Sequence, residues 1–225
     1  MTNFKKISLS LAVATALSFS GCGSSSSDDT TNNDDDTSNN STVSGKVADG
    51  YLDKAKVCLD KNENGKCDTD EPNTLSVNGD YSLSVTTTDV GKYPILVEVT
   101  TATVDLDDNQ TVTNGYTLSA PKDSTGFISP ITTLIQNEIE KYPVLTKDDA
   151  LKRVSDKLNI TSTQSKLLTD YVANGSDSES FKLHEVGKVI ATLQGALELK
   201  LTQSTVMTDD NKKASNNQIL NSIYK

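Results

Sequence analysis

Apolar residues along this chain keep changing their spacing, and each change marks a boundary. Residues 7–19 form a short apolar run, and residues 23–42 contain only Ser, Asp, Thr, Asn and Gly. An alternating pattern then begins, as expected of half-buried strands. Val43, Gly45 and Val47 alternate with Ser44, Lys46 and Ala48; Ala55, Val57 and Leu59 alternate with Lys54, Lys56 and Cys58. Residues 80–85 set Tyr81, Leu83 and Val85 on one face. Residues 93–100 set Ile95, Val97 and Val99 against Leu96 and Glu98, and residues 101–104 read as an extension. Breaks of Gly, Asn and Asp every ten residues or so predict a small antiparallel sandwich over 43–128. Asn78-Gly79 and Asn114-Gly115 mark turns without settling their type.

After Gly126 the spacing becomes helical. Ser129-Pro130 places a cap before a proline suited to the first turn, and Ile131, Leu134, Ile135, Ile139 and Tyr142 follow until Pro143. Thr146 and Asp149 resemble a capping box ahead of Ala150, Leu151, Val154 and Leu158. A third helix is expected over 164–173. The fourth rests on Phe181, Val186, Val189, Ile190, Leu193, Leu197 and Leu201, read as one apolar stripe. A final short helix takes Ile219, Leu220 and Ile223. The expected fold class is α+β, with the sandwich followed by a small helical domain over 129–225.

Residues 1–21 stand apart from this fold. Lys5 and Lys6 precede an apolar run too short to span a bilayer, and Ser20-Gly21-Cys22 closes it. The segment resembles a bacterial lipoprotein signal. That resemblance implies cleavage before Cys22 and lipid, including palmitate-type acyl chains, on its thiol and new amino group. Gly23 rather than Asp after Cys22 implies the outer membrane. The alternative is an ordinary secretory signal followed by an unrelated cysteine. Residues 22–42 would then tether a folded domain to the membrane, since they hold no apolar residue with which to build a core.

The formal net charge is -10, and losing the signal removes two lysines and no acid. The resulting -12 disfavours nucleic acid and anionic lipid as partners and favours cations. Of three cysteines, lipidation would use Cys22, leaving Cys58 and Cys67 as an even pair. They are expected to form a disulfide in an oxidising compartment; two reduced thiols are the other reading. Zinc is poorly served, because His184 is the sole histidine.

Between and beyond those cysteines lies the most informative stretch. Asp60, Asn62, Asn64, Gly65 and Glu71 match every specified position of the calcium-loop pattern D-x-[DN]-x-[DN]-G-x5-E. Asp60, Asn62 and Asn64 would supply side-chain oxygens, Lys66 its carbonyl, Asp68 a carboxylate and Glu71 a bidentate one. Three candidate ligand carboxylates, Asp60, Asp68 and Glu71, crowd into twelve residues and repel one another without a cation. The competing reading is a solvated turn around Asn64-Gly65. A second acidic turn, Asp105, Asp107, Asp108 and Asn109, lacks the glycine and the terminal glutamate and reads as a charged hairpin end.

Ser44-Gly45-Lys46-Val47-Ala48-Asp49-Gly50, then Ala55-Lys56-Val57-Cys58-Leu59-Asp60, the acidic loop and Asn78-Gly79-Asp80-Tyr81-Ser82-Leu83 follow one another in a familiar order. Over about 45–85 the chain resembles the prealbumin-like sandwich of carboxypeptidase-regulatory-like domains and of serine-aspartate-repeat B-type modules. Those B-type modules carry a calcium loop without flanking helices. The resemblance implies a Ca2+-stabilised, non-catalytic spacer or adhesive module at the cell surface, meeting an unidentified envelope or surface protein. No nucleophile elbow, phosphate loop or haem motif is present, no catalytic residue is nominated, and an enzyme is not expected. A periplasmic ligand-binding or enzyme-accessory lipoprotein is the alternative.

Overall fold

The structure, a computed structural model, describes residues 39–160, 164–204 and 209–223. The signal, Cys22 and the tether as far as residue 38 lie outside the described residues. Ten strands and four helices follow in chain order: β1 (Asn40–Val47), β2 (Leu52–Asp53), β3 (Lys56–Leu59), β4 (Asn73–Leu75), β5 (Asp80–Thr86), β6 (Ile95–Val99), β7 (Val104–Asp105), β8 (Gln110–Thr111), β9 (Tyr116–Ala120), β10 (Phe127–Ile128), α1 (Pro130–Lys141), α2 (Lys147–Lys157), α3 (Ser178–Ser204) and α4 (Asp209–Ile223). The class is α+β.

The strands form three sheets, ordered β10-β1-β5, β4-β3-β6-β9 and β2-β7-β8. All pairings are antiparallel except that of β1 with β10. Alternation sets the inner face. Val43, Val47, Tyr81, Leu83 and Val85 from the first sheet meet Val57, Leu59, Ile95, Val97, Val99, Leu118 and Ala120 from the second in one core. The strand β1 starts three residues ahead of the first apolar position, because Asn40, Ser41 and Thr42 pair with Thr86, Val85 and Ser84 through backbone alone. The Asn78-Gly79 turn has both residues at positive φ, 52° and 85°, the combination of a type I′ hairpin turn.

Helix α1 is fastened to the second sheet at its first turn. Ser129 and Thr132 exchange side-chain and backbone hydrogen bonds as a capping box. Thr132 Oγ1 also donates to the Ser119 carbonyl at 2.8 Å, and Ser119 N donates to Thr133 Oγ1 at 2.9 Å. Ile131, Leu134 and Ile135 then join Ala150, Leu151, Val154, Tyr171, Leu183 and Leu220 in a second core, which also takes Ala48 and Phe127 from the strand region. Ser38–Lys225 forms one compact unit. The Thr146–Asp149 capping box is present as expected.

Two helical expectations are corrected. Residues 164–173 do not form an α-helix; only a 3-10 turn, Gln164–Leu168, is present. Asp170 turns the chain away from helical pairing: its Oδ1 accepts from Ala173 N and its Oδ2 from the Tyr51 hydroxyl. Such local acceptance competes with the helical ladder. The fourth helix forms as α3, but its large apolar residues are not one buried stripe. Phe181 is 54% and Val189 59% exposed, and Leu193 is exposed as well. The buried face is Leu183, Gly187, Ile190, Ala191, Gln194 and Gly195. Small residues are required there. A Cβ on Gly187 would stand 3.1 Å from the Tyr171 hydroxyl, and one on Gly195 3.0 Å from the Asn114 carbonyl oxygen. Gln194 Nε2 donates to the Thr117 carbonyl at 2.6 Å, completing the attachment. The final helix is longer than expected, a full fifteen residues.

Glu138 has no exposed side-chain surface and is held by Arg153 Nε at 2.6 Å and Lys157 Nζ at 3.3 Å. Removing one partner of a buried charge is costly, whereas replacing both sides is tolerated. Arg153→Met should therefore cost roughly 2–3 kcal/mol in urea unfolding. The double variant Glu138→Gln/Arg153→Met should lose less than the single one.

Candidate functional site

The loop following β3 folds around two buried carboxylates. Asp60 is 3% exposed and Glu71 6%. Asp60 Oδ1 accepts from Asn64 N at 3.0 Å and Oδ2 from Gly65 N at 2.9 Å. Gly65 sits at φ +76°, a conformation glycine adopts without strain. Glu71 spans the loop, with Oε1 accepting from Lys61 N at 2.6 Å and Oε2 from Asp68 N at 3.2 Å. Burial, reinforced by the charge of Glu71, pushes the Asp60 carboxyl up to about 6, against the Gly65 and Asn64 amides and Lys213, which lower it.

Asp68 is the third acid. Asn62 Nδ2 and Asn64 Nδ2 each donate to its Oδ2 at 2.8 Å, holding its carboxyl below the ordinary range. The side-chain oxygens of Asn62 and Asn64 accept from Asn64 N and Lys66 N. All six sequence-nominated residues are thus gathered in one loop, closed by its own hydrogen bonds. Among the described residues no three acidic, His or Cys side chains stand in an arrangement that would hold a metal. In donor chemistry the loop fits a hard cation, because the Asp60 and Glu71 carboxylates are oxygen donors buried side by side in it.

The loop is braced from both sides. Cys58 and Cys67 are disulfide-bonded, with Cα atoms 5.6 Å apart, and Leu96 packs on them. Closing about ten residues constrains the unfolded chain by roughly 2.5–3 kcal/mol in the loop-entropy account. From the far end of the chain, Lys213 on α4 donates to the Glu63 carbonyl at 2.8 Å and pairs with Glu140 at 3.2 Å. Lys212 reaches Glu98 at 3.1 Å. These lysines lie some 150 residues after the loop, and no spacing rule connects them to it.

The second acidic turn is a hairpin end between β7 and β8, as its composition suggested. Asp107 stands 3.0 Å from His184 Nε2 and 3.7 Å from Lys188 Nζ, both on α3. What the sequence did not disclose is Asp49. It is 7% exposed, its Oδ2 accepts from the Tyr116 hydroxyl, and its Oδ1 is buried with no hydrogen-bond partner. Burial pushes its carboxyl up to about 7; the Tyr116 hydrogen bond opposes the shift and the charges of Asp105 and Asp107 add to it. Among the described residues no helix is long and apolar enough to cross a membrane.

A raised carboxyl pKa means the folded state holds a proton that the unfolded state has released. Asp49 therefore contributes most below its unfolded value near 3.8, and that contribution falls away as pH rises to about 7. Asp49→Asn should flatten the loss of stability between pH 4.5 and 7.5 relative to the parent, read from urea midpoints across that range. An equal slope in both proteins would reject this assignment.

No protein-family model matches the chain, and comparison with the curated proteins and with the solved structures finds no match.

Proposed function

We propose that this chain is a lipid-anchored module of the bacterial envelope, held at the outer membrane through Cys22, with a calcium-clamped sandwich in a structural or adhesive role. The observation that carries the reading is the pair of buried carboxylates, Asp60 and Glu71, in a loop closed by the Cys58–Cys67 disulfide. Calcium would be held by the Asp60, Asp68 and Glu71 carboxylates, the Asn62 and Asn64 side-chain oxygens and the Lys66 carbonyl. It would supply the positive charge that the loop's acids lack. Because strands rather than helices flank the loop, the ion would stabilise rather than switch.

Two sheets sharing one inner core support the prealbumin-like sandwich, and a disulfide supports an oxidising compartment. The boundaries proposed are 1–21 for the signal, 22–42 for the lipidated cysteine and tether, 43–128 for the sandwich and 129–225 for the helical part. The partner would be an envelope or surface protein, with the membrane reached through the Cys22 lipid and nucleic acid disfavoured by charge. A ligand-binding accessory role is the second reading, favoured by an acidic cavity beside α3.

Melting of the full chain in detergent, with calcium and with chelator, tests the clamp. Calcium at a hundredfold excess over its dissociation constant adds about 2.7 kcal/mol. The melting temperature should rise by several degrees, and Asp60→Asn or Glu71→Gln should abolish the rise. No rise in the parent protein would sink the calcium reading. Cys22→Ser should move the protein out of the membrane fraction; a variant that stays there removes the lipid anchor.

A further inference from the structure

Beside α3 lies a cavity of about 270 Å³, walled by Asp49, Asp105 and Asp108 on one side and by Ala191, Thr192 and Gly195 on the other. No lysine, arginine or histidine lines it. The basic side chains nearby, His184 and Lys188, stand against Asp107, which is not part of the wall. Three carboxylates therefore face a solvent-connected space with no basic side chain among them. The acidic cluster is not the only pointer. Asp49 Oδ1 is a buried acceptor without a donor, although its partner oxygen is engaged by Tyr116. A buried acceptor left unmatched is costly, and a ligand carrying N–H groups would satisfy it.

The crowding is built into the backbone. A Cβ on Gly50 would stand 2.2 Å from Asp105 Oδ1 and 2.6 Å from Asp107 Oδ1, so glycine leaves these carboxylates the room they occupy at the strand end beside Asp49. Asp105 is fixed further by accepting from Asp107 N at 2.9 Å, and Asp108 by accepting from Gln110 N at 2.8 Å. The occupant is larger than a bare ion. The acids do not converge as metal ligands do, and the cavity as a whole has room for more than a bare ion.

We propose that this cavity binds a small aliphatic ammonium compound, with Asp49, Asp105 and Asp108 receiving its N–H groups. Charge-assisted hydrogen bonds to carboxylates supply the recognition. No residue of the 60–71 loop lines the cavity, so the site stands apart from the calcium reading.

Calorimetric titration of putrescine into the full chain, in detergent at low salt with calcium held constant, tests it. One saturable site is expected, weakened at least tenfold by Asp105→Asn and left unchanged by Asp148→Asn, an exposed acid on α2. Thr192→Lys, at an exposed position of α3, should abolish binding by placing a tethered ammonium at the rim. That variant keeps the test open if Asp105→Asn fails to fold. No saturable heat from the parent protein would overturn the proposal, as would equal affinity in Thr192→Lys. Calcium binding that is lost in Asp105→Asn and displaces putrescine would identify a metal site instead, and would overturn it as well.

Discussion

Everything beyond β9 depends on how the first turn of α1 is attached to Ser119. As the edge strand of its sheet, β9 presents the Ser119 carbonyl and amide along its free edge, and Thr132 and Thr133 take both. The same threonine hydroxyls satisfy the Ser129 backbone, so a helix start that would be a cluster of orphaned polar groups is buried without penalty. Pro130, at the first helical position, has no N–H to leave unpaired. With α1 so fixed, its apolar face presents Ile131, Leu134 and Ile135 to α2, α3 and α4, and the second core closes on it. A single hydrogen-bonded joint thereby lets strands and helices share one unit.

The helices in turn reach back to the strand region at two separate places. The last, α4, brings Lys213 onto the Glu63 carbonyl and Lys212 onto Glu98, bracing the loop that leaves β3. The long α3 lies against the strand region through Ala191 and Gly195, and carries His184 and Lys188 to Asp107. Close approach and charge placement are linked here. Had α3 buried its larger residues, Phe181, Val189 and Leu193, it would stand farther off and would not wall the cavity beside Asp49.

Local signals were legible wherever structure is made locally. Alternation located β1, β3, β5 and β6, because one face of each enters a core. The Ser129 cap and the Thr146–Asp149 capping box are legible because a few consecutive residues build each. Other elements were hidden for identifiable reasons. Strands β2, β4, β7, β8 and β10 are two or three residues long, too short to show a period. Strand β9 was missed although Tyr116, Leu118 and Ala120 alternate with Thr117 and Ser119, because its outer positions are polar for the helices' sake rather than for water. The face of α3 was misread because hydrophobic size, not closeness of packing, was the signal followed. Nothing near residue 170 marks Asp170 as a helix breaker until Tyr51 is seen to hold it.

The two acidic places differ in the same way. The 60–71 loop is a contiguous string whose calcium-loop pattern can be read directly, and in the structure it is closed by its own hydrogen bonds. The cavity is assembled from Asp49 and the β7–β8 turn, more than fifty residues apart, with α3 as its far wall. In the sequence Asp49 is one polar residue after a strand, and the turn after β7 is a charged hairpin end. Only folding sets one beside the other, and Gly50 permits the approach. A contiguous loop shows its pattern in the sequence itself. A site made by tertiary contact shows itself through the consequence of that contact, here a buried carboxylate oxygen with nothing to bind.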